Sequence, residues 1–222
     1  MARRTYLEEA MIKVLLVDDE PLIRGGLKAI LEASGDIQVI GEAGSGNAAV
    51  TLSTVLQPDV VCMDIRMSDG DGISATSRIT ASEPHPGVLV ITTFDLDEYV
   101  FGALEAGACG VLLKDSPMDV LVGGVRRAAS GEGVVDSTLT GRVIAEFARR
   151  KARAVVDSDE LTPRELDCVR ALGRGFTNVE IGRELYLEPS TVKTHLSSAM
   201  AKVGASSRVQ LVIWAFRAGV IS

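Results

Sequence analysis

The sequence predicts an α/β domain with a parallel sheet, followed by a small all-α domain. Three observations point there. Short apolar runs alternate with amphipathic stretches up to about residue 130, and that alternation is lost over 131–160. Beyond residue 160 the apolar stripes have helical spacing and capping signals recur. The charge divides in the same place: residues 1–135 carry 10 Lys and Arg against 20 Asp and Glu, and residues 136–222 carry 13 against 10.

The elements follow in order. Ile12–Val17 is apolar on both faces, as a buried parallel strand must be. Pro21 stands at a helix start, and 22–33 reads helical through Leu22, Ile23, Leu27, Ile30 and Leu31. Further strands are expected at 37–43, 60–63, 88–92 and 110–113, and helices at about 47–56, 73–82, 96–106 and 118–130. Asp95 and Glu98 form a capping-box pattern ahead of the fourth helix. Residues 1–10 precede Met11 and read as an N-terminal extension, either an upstream start or an appended one.

Composition narrows the class. With 46% hydrophobic and 24% charged residues, wholesale disorder is excluded. The longest apolar run falls well short of the ~18 residues of a membrane span. MARRTYLEEA lacks the apolar core of a secretory signal. Cys62, Cys109 and Cys168 stand far apart with no CxxC, which argues against a disulfide framework or a zinc site and fits a cytoplasmic protein. GEAGSG is not GxGxxG, so it reads as a turn, and no GxxxxGK[ST] occurs.

In parallel sheets, ligands bind at the carboxyl ends of strands. Asp18, Asp19 and Glu20 stand there after the first strand, Asp64 after the third, Thr92 at the end of the fourth and Lys114 at the end of the fifth. Taken singly, each has an ordinary structural reading, as a helix cap, a core hydroxyl or a solvated cation. Together, carboxylates that repel one another call for a cation, and hard oxygen ligands favour Mg2+. A carboxylate beside Mg2+ and a lysine is chemically suited to accept a phosphoryl group, with Lys and Thr holding its oxygens.

VDDE, MDIRM…DG, the Thr after the fourth strand and LLKD occur in this order at the right spacing, and residues 12–130 resemble a two-component receiver domain. The resemblance implies a flavodoxin-like, five-stranded parallel α/β fold of order 2-1-3-4-5. It implies Asp64 as phospho-acceptor, with Thr92 and Lys114 binding the phosphoryl group. It also implies Mg2+ held by Asp18, Asp19, Asp64 and the backbone carbonyl of Arg66. Two departures stand out: Ser68 replaces the usual Pro, and Val111 replaces the usual aromatic switch residue, for which Tyr99 or Phe101 is the available substitute.

Residues 133–160 read as a linker, with a helix over 138–150 and a charged connector whose RRK is either a phosphate-contacting arm or a solvated helix end. In 161–222, Thr162–Glu165 and Thr177–Glu180 are capping boxes, Gly173 and Gly175 stop the first helix, and a short helix at Asn178–Leu185 leads through a tight turn to Thr191–Val203. Two helices so joined make a helix-turn-helix arrangement. One face of the longer helix is apolar (Val192, Leu196, Ala199, Met200, Val203) and the other presents Lys193, Thr194, Ser197 and Ala201. Lys193 suits guanine or phosphate, and Thr191 and His195 suit phosphate; a plain solvent-facing helix is the alternative. The last helix carries two apolar stripes. Val209, Val212, Ile213 and Phe216 form one, and Leu211, Trp214, Ala215 and Ala218 form the other; one serves the core and the second suggests an interface.

LTPRE, TNVEIG, STVKTH and KVGASSRVQ together resemble the LuxR-type DNA-binding domain. By that resemblance Lys193, Thr194 and Ser197 face bases, Thr191, His195 and Arg208 approach the DNA backbone, and the last helix, with Leu211, Trp214 and Ala215, mediates dimerisation. Glu188 stands where a better capping residue is usual, leaving Pro189 to set the turn. The whole chain thus resembles a NarL/FixJ-type response regulator. The expected partners are a sensor histidine kinase, double-stranded DNA, a second copy of the active chain and RNA polymerase, with no membrane. Two rivals from other classes are a Mg2+-dependent phosphotransferase, which requires a substrate-covering lid, and a phosphorylation-controlled domain that binds protein or RNA.

Overall fold

The computed structural model describes residues 11–68, 70–81, 84–93, 97–135 and 161–221. The linker helix over 138–150, the RRK segment, the N-terminal extension and Asp95 lie outside them. The first domain runs β1 (Ile12–Val17), α1 (Pro21–Glu32), β2 (Ile37–Ala43), α2 (Gly46–Leu56), β3 (Val60–Met63), β4 (Arg66–Met67), β5 (Gly70–Asp71), α3 (Gly72–Thr80), β6 (Gly87–Thr92), α4 (Asp97–Glu105), β7 (Gly110–Leu113), α5 (Met118–Ala129) and β8 (Val134–Val135). The main sheet has the order β2-β1-β3-β6-β7-β8, parallel throughout.

Alternation builds its two cores. Leu15, Val17, Val61, Met63, Val88, Val90 and Val111 face one layer of helices. Their neighbours Val14, Leu16, Val60, Cys62, Leu89, Ile91 and Leu112 face the other. Five strands were expected, but the sheet has six. Gly110 and Val111 of β7 pair with Val134 and Val135, so the start of the linker continues the sheet edge. Two residues are too few to show a period-two pattern in sequence.

The second domain comprises α6 (Pro163–Gly173), α7 (Asn178–Leu185), α8 (Pro189–Val203) and α9 (Arg208–Arg217). Both predicted capping boxes form, with Thr162 and Thr177 accepting from the backbones of Glu165 and Glu180 while those carboxylates reach back. Glu188 makes no side-chain cap; α8 starts at Pro189, two residues earlier than the apolar pattern implied. Glu165 ties the domain together. Only 4% exposed, it accepts from Ser198 Oγ at 2.6 Å and pairs with Lys202 Nζ at 2.8 Å, joining α6 to α8. Burial alone raises its pKa, but those bonds and the Thr162 amide outweigh it and hold the carboxyl down to about 2. The three cysteines are buried and free.

Candidate functional site

Register brings the expected pocket together. Val17 pairs with Met63, and the Asp64 amide donates to the Val17 carbonyl at 2.9 Å, so Asp18 and Asp64 leave adjacent strands side by side. Thr92 pairs with Leu113, and the Lys114 amide donates to the Thr92 carbonyl at 2.8 Å. Lys114 Nζ then reaches Asp64 Oδ2 at 2.9 Å and Asp18 Oδ2 at 2.5 Å. Thr92 is fully buried at the same edge.

The pocket is strongly polarised. Burial is the main cause lifting the Asp64 carboxyl above the ordinary range, with the Asp18 charge adding to it against the opposing pull of Lys114. Burial works against the Lys114 ammonium, yet its bonds to Asp18 and Asp64 prevail and raise its pKa. Asp19 accepts from the Ser68 amide at 2.8 Å, and this bond leads in lowering its carboxyl.

One carboxylate oxygen from each of Asp18, Asp19 and Asp64 lies within 4.8 Å of the others. Asp18 Oδ2 is buried without a well-aligned hydrogen-bond donor, although the Lys114 ammonium is beside it. Three hard oxygen donors, one of them buried with only the Lys114 ammonium beside it, fit a small divalent cation such as Mg2+. Arg66 opens β4, and its pairing with Asp71 folds the loop after Asp64 back on itself.

Two supports for the pocket escaped sequence reasoning. Arg24 Nη1 donates to the Asp18 carbonyl at 2.7 Å and its Nε pairs with Glu42 at 3.3 Å, bracing the β1 end; a lone Arg in a helix carries no such signal. Gly72 begins α3 directly against Asp64. A Cβ there would stand 2.1 Å from the Asp64 carbonyl oxygen and 2.8 Å from Ile65 Cα. The Asp-Gly before the helix was the available signal.

In the second domain, Lys193, Thr194 and Ser197 are exposed together on α8, with Thr191 and His195 half-buried, while Val192, Leu196 and Ala199 are buried on the opposite side. Thr194 Oγ1 also donates to the Ser190 carbonyl at 3.1 Å.

Comparison with known proteins fits both halves. The profile of the response regulator receiver domain matches residues 14–126, and that of the bacterial regulatory proteins of the luxR family matches 159–215. The transcriptional regulatory protein LiaR of Bacillus subtilis is 40% identical over 207 residues, covering 93% of this chain and 98% of its own. The chain belongs to the LuxR-type response regulators. It joins a receiver domain to a helix-turn-helix DNA-binding domain, as transcriptional response regulators of two-component systems do, and this family is not an enzyme family. Response regulator VraR of Staphylococcus aureus is 34% identical over 210 residues, covering 95% of this chain and 99% of its own. The crystal structure of response regulator ChrA, from a heme-sensing two-component system, aligns with a TM-score of 0.53 at 32% identity, over 95% of this chain and 99% of that one.

In this response regulator the two domains are docked through α9. Gln210 Nε2 donates to the carbonyls of Leu104 (3.2 Å) and Glu105 (2.9 Å) at the end of α4, and Ser207 Oγ donates to Ala108 at 3.2 Å. Ile213 is 5% exposed and belongs to the receiver's own apolar cluster, with Val209 packed against it. This departs from the expected use of the stripes: Ile213 and Val209 meet the receiver, while Val212 of the same stripe packs on the helical core. Leu211 and Ala215, expected at an interface between copies, are fully buried in the core of the helical domain; Trp214 packs against that core, half-buried. One helix with two apolar stripes does not reveal which serves its own domain. Arg208, expected near DNA backbone, is also turned inward. It is 7% exposed and donates to Asn178 Oδ1 at 2.7 Å, and burial lowers its pKa. Lys193 lines a cleft of about 640 Å³ whose opposite wall is receiver, including Arg78, His85 and Cys109. Val111, the aromatic-to-aliphatic departure, is fully buried core. Of its substitutes, Phe101 is buried and Tyr99 is half-buried, with the Arg66 guanidinium 5.9 Å from its ring centroid.

Proposed function

We propose that Asp64 accepts a phosphoryl group from a partner histidine kinase and that the modification controls DNA binding by the helical domain. The observation that carries this reading is the convergence of Asp18, Asp19, Asp64 and Lys114, from three strand ends, on one half-closed point. An Asp64 carboxylate oxygen bonds to phosphorus as the bond to the donor's imidazole nitrogen breaks. Lys114 and the Thr92 hydroxyl take the phosphoryl oxygens. Asp18, Asp19, Asp64 and the Arg66 carbonyl would hold Mg2+, which offsets the carboxylate charge and adds ligand positions for the phosphoryl oxygens.

The new dianionic group draws Lys114 away from Asp18, and the change spreads along β6 and β7 through Thr92. Gln210 is bonded at the C-terminal end of α4, which leads into the start of β7 at the sheet edge opposite Thr92 and Lys114, so the change reaches it along α4 and the strands. Undocking frees α9 and turns Lys193 away from receiver, after which Lys193, Thr194 and Ser197 meet base edges and Thr191 and His195 meet phosphates. Arg208 joins the phosphate contacts only if its bond to Asn178 is exchanged. Two chains then occupy a two-fold related DNA site, with Trp214 and the surface released from the receiver in the dimer contact. The domain limits that serve this reading are 11–132 for the receiver, 133–160 for the linker and 161–222 for the DNA-binding unit. Among the described residues no helix is long and apolar enough to cross a membrane. On this reading the regulator acts in the cytoplasm and meets RNA polymerase when bound to DNA.

Intact mass after incubation with acetyl phosphate and Mg2+ tests the reading. Wild type is expected to gain one phosphoryl group and Asp64→Asn none. Duplex DNA affinity unchanged by the donor would sink the regulatory half.

A further inference from the structure

We propose that the backbone amide of Ser68 is a positioning group for the cation site, clamping Asp19 in its binding geometry. The inference rests on the acidic pocket being a Mg2+ site. It begins from the departure noted in the sequence, Ser where the family usually has Pro. A proline has no N–H to give. Here the residue has one, and it donates to Asp19 Oδ2 at 2.8 Å, across 49 positions of chain.

The other two carboxylates of the cluster are already anchored by amides of their own strand-end loops. Asp18 Oδ1 accepts from the Glu20 amide at 2.9 Å, and Asp64 Oδ1 accepts from the Ile65 amide at 2.7 Å. Asp19 is the half-buried member, whereas Asp18 and Asp64 are buried. A carboxylate so placed retains rotamer freedom that cation binding has to remove. The Ser68 amide removes it in advance while leaving the second oxygen available. Ser68 follows directly on β4, which Arg66 and Met67 form with Asp71 and Gly70, so its position is itself set by pairing. The same bond joins the β1 end to the loop after Asp64, and the cation site and the acceptor loop therefore move as one unit. Hydrogen bonds to ligating carboxylates orient them, and their loss commonly weakens metal binding by about 10–100-fold. For one half-exposed ligand of three, the low end of that range applies.

The test is calorimetric titration of Mg2+ into the full-length protein, with Mn2+ electron paramagnetic resonance as a second readout; neither depends on phosphorylation. Ser68→Pro removes the amide hydrogen and is expected to raise the Mg2+ dissociation constant about tenfold. Ser68→Ala keeps the amide and is expected to stay within about threefold of wild type, since it loses only the hydroxyl's smaller contribution to Asp19. In phosphorylation assays the loss should appear as a higher half-saturating Mg2+ concentration, with the rate at saturating Mg2+ preserved. If Ser68→Pro does not fold, amide hydrogen exchange replaces it, with Asp19→Ala expected to speed exchange at Ser68 about tenfold. A folded Ser68→Pro with wild-type Mg2+ affinity overturns the proposal, as does Ser68→Ala falling as far as Ser68→Pro, or Ser68 exchange indifferent to Asp19. Wild type failing to bind Mg2+ overturns the pocket reading itself.

Discussion

The acidic pocket and the α8 surface are assembled in opposite ways. The pocket draws Asp18, Asp64, Thr92 and Lys114 from four strand ends, and no two of its principal groups on different strands are neighbours in sequence. The α8 surface takes Lys193, Thr194 and Ser197 from a single turn of one helix. A pocket made by register is rigid because each side chain inherits the position of a paired strand. A helix face is rigid within itself and depends on docking for where it points. The difference teaches that phosphoryl chemistry and DNA contact fail differently: the first through small displacements, the second through release or occlusion of an intact surface.

The largest effect is expected inside the pocket. Lys114→Met removes the charge that bridges Asp18 and Asp64 and leaves two buried carboxylates facing each other. The rate of phosphoryl incorporation should fall by about 10²–10³, the scale for losing one preorganised charge-stabilising donor. Timed intact-mass measurements with acetyl phosphate check this. A change below about threefold would mean that the pocket does not work through Lys114.

Gly72→Ala breaks the register argument without touching a charge. The added Cβ meets the Asp64 carbonyl oxygen at 2.1 Å, and only backbone is there to yield. Displacing α3 from the sheet should lower receiver stability by about 3 kcal/mol, within the range for overpacking. Urea unfolding followed by circular dichroism measures it, and the phosphorylation rate should fall in the same variant.

Glu165 provides the corresponding test in the helical domain. Its folded carboxyl is held at about 2, against an ordinary 4.5. A depressed folded pKa contributes stability that is complete above the unfolded value and is lost as pH falls toward the folded one. The helical domain should therefore lose roughly 2–3 kcal/mol between about pH 5 and pH 2. Glu165→Gln should remove a similar amount at pH 7 and flatten that acid dependence. Tryptophan fluorescence reports it selectively, since the single Trp, Trp214, belongs to this domain.

How much was legible follows from the same comparison. The five main strands and the strand-end residues were readable because buried parallel strands are short apolar runs and their ends are marked by sudden polarity. The helical domain was readable from capping boxes and 3.6-residue periodicity, both local signals. Contacts between distant segments that carry no periodic signature were not readable: the two-residue β8, the Arg24 brace on Asp18, and the Ser68 amide on Asp19. The stripes of α9 are the clearest case. Both have helical spacing, and only the tertiary structure assigns Leu211 and Ala215 to the helical core and Ile213 to the receiver.

That assignment can be split by its two faces. Leu211→Ala empties a fully buried site in the helical domain and should destabilise it by about 3 kcal/mol, without any preference for the docked arrangement. Gln210→Ala touches neither core, but Gln210 Oε1 also accepts from the Ser206 amide at 2.7 Å and the Ser206 hydroxyl at 2.9 Å at the start of α9. The substitution removes the donor to the Leu104 and Glu105 carbonyls, and both carbonyls can turn to water once the domains part. The expected loss in docking is only about 1 kcal/mol, and the lost Ser206 contacts cost the helical domain a similar amount. The docking share changes the ratio of docked to separated molecules about fivefold, while the unfolding of the receiver is unchanged and the stability of the helical domain falls slightly. Small-angle scattering should show a larger radius of gyration in Gln210→Ala, and unphosphorylated Gln210→Ala should bind duplex DNA more tightly than wild type. Tighter binding without expansion would place the effect in the helical domain itself, and expansion without tighter binding would mean that docking does not restrain α8.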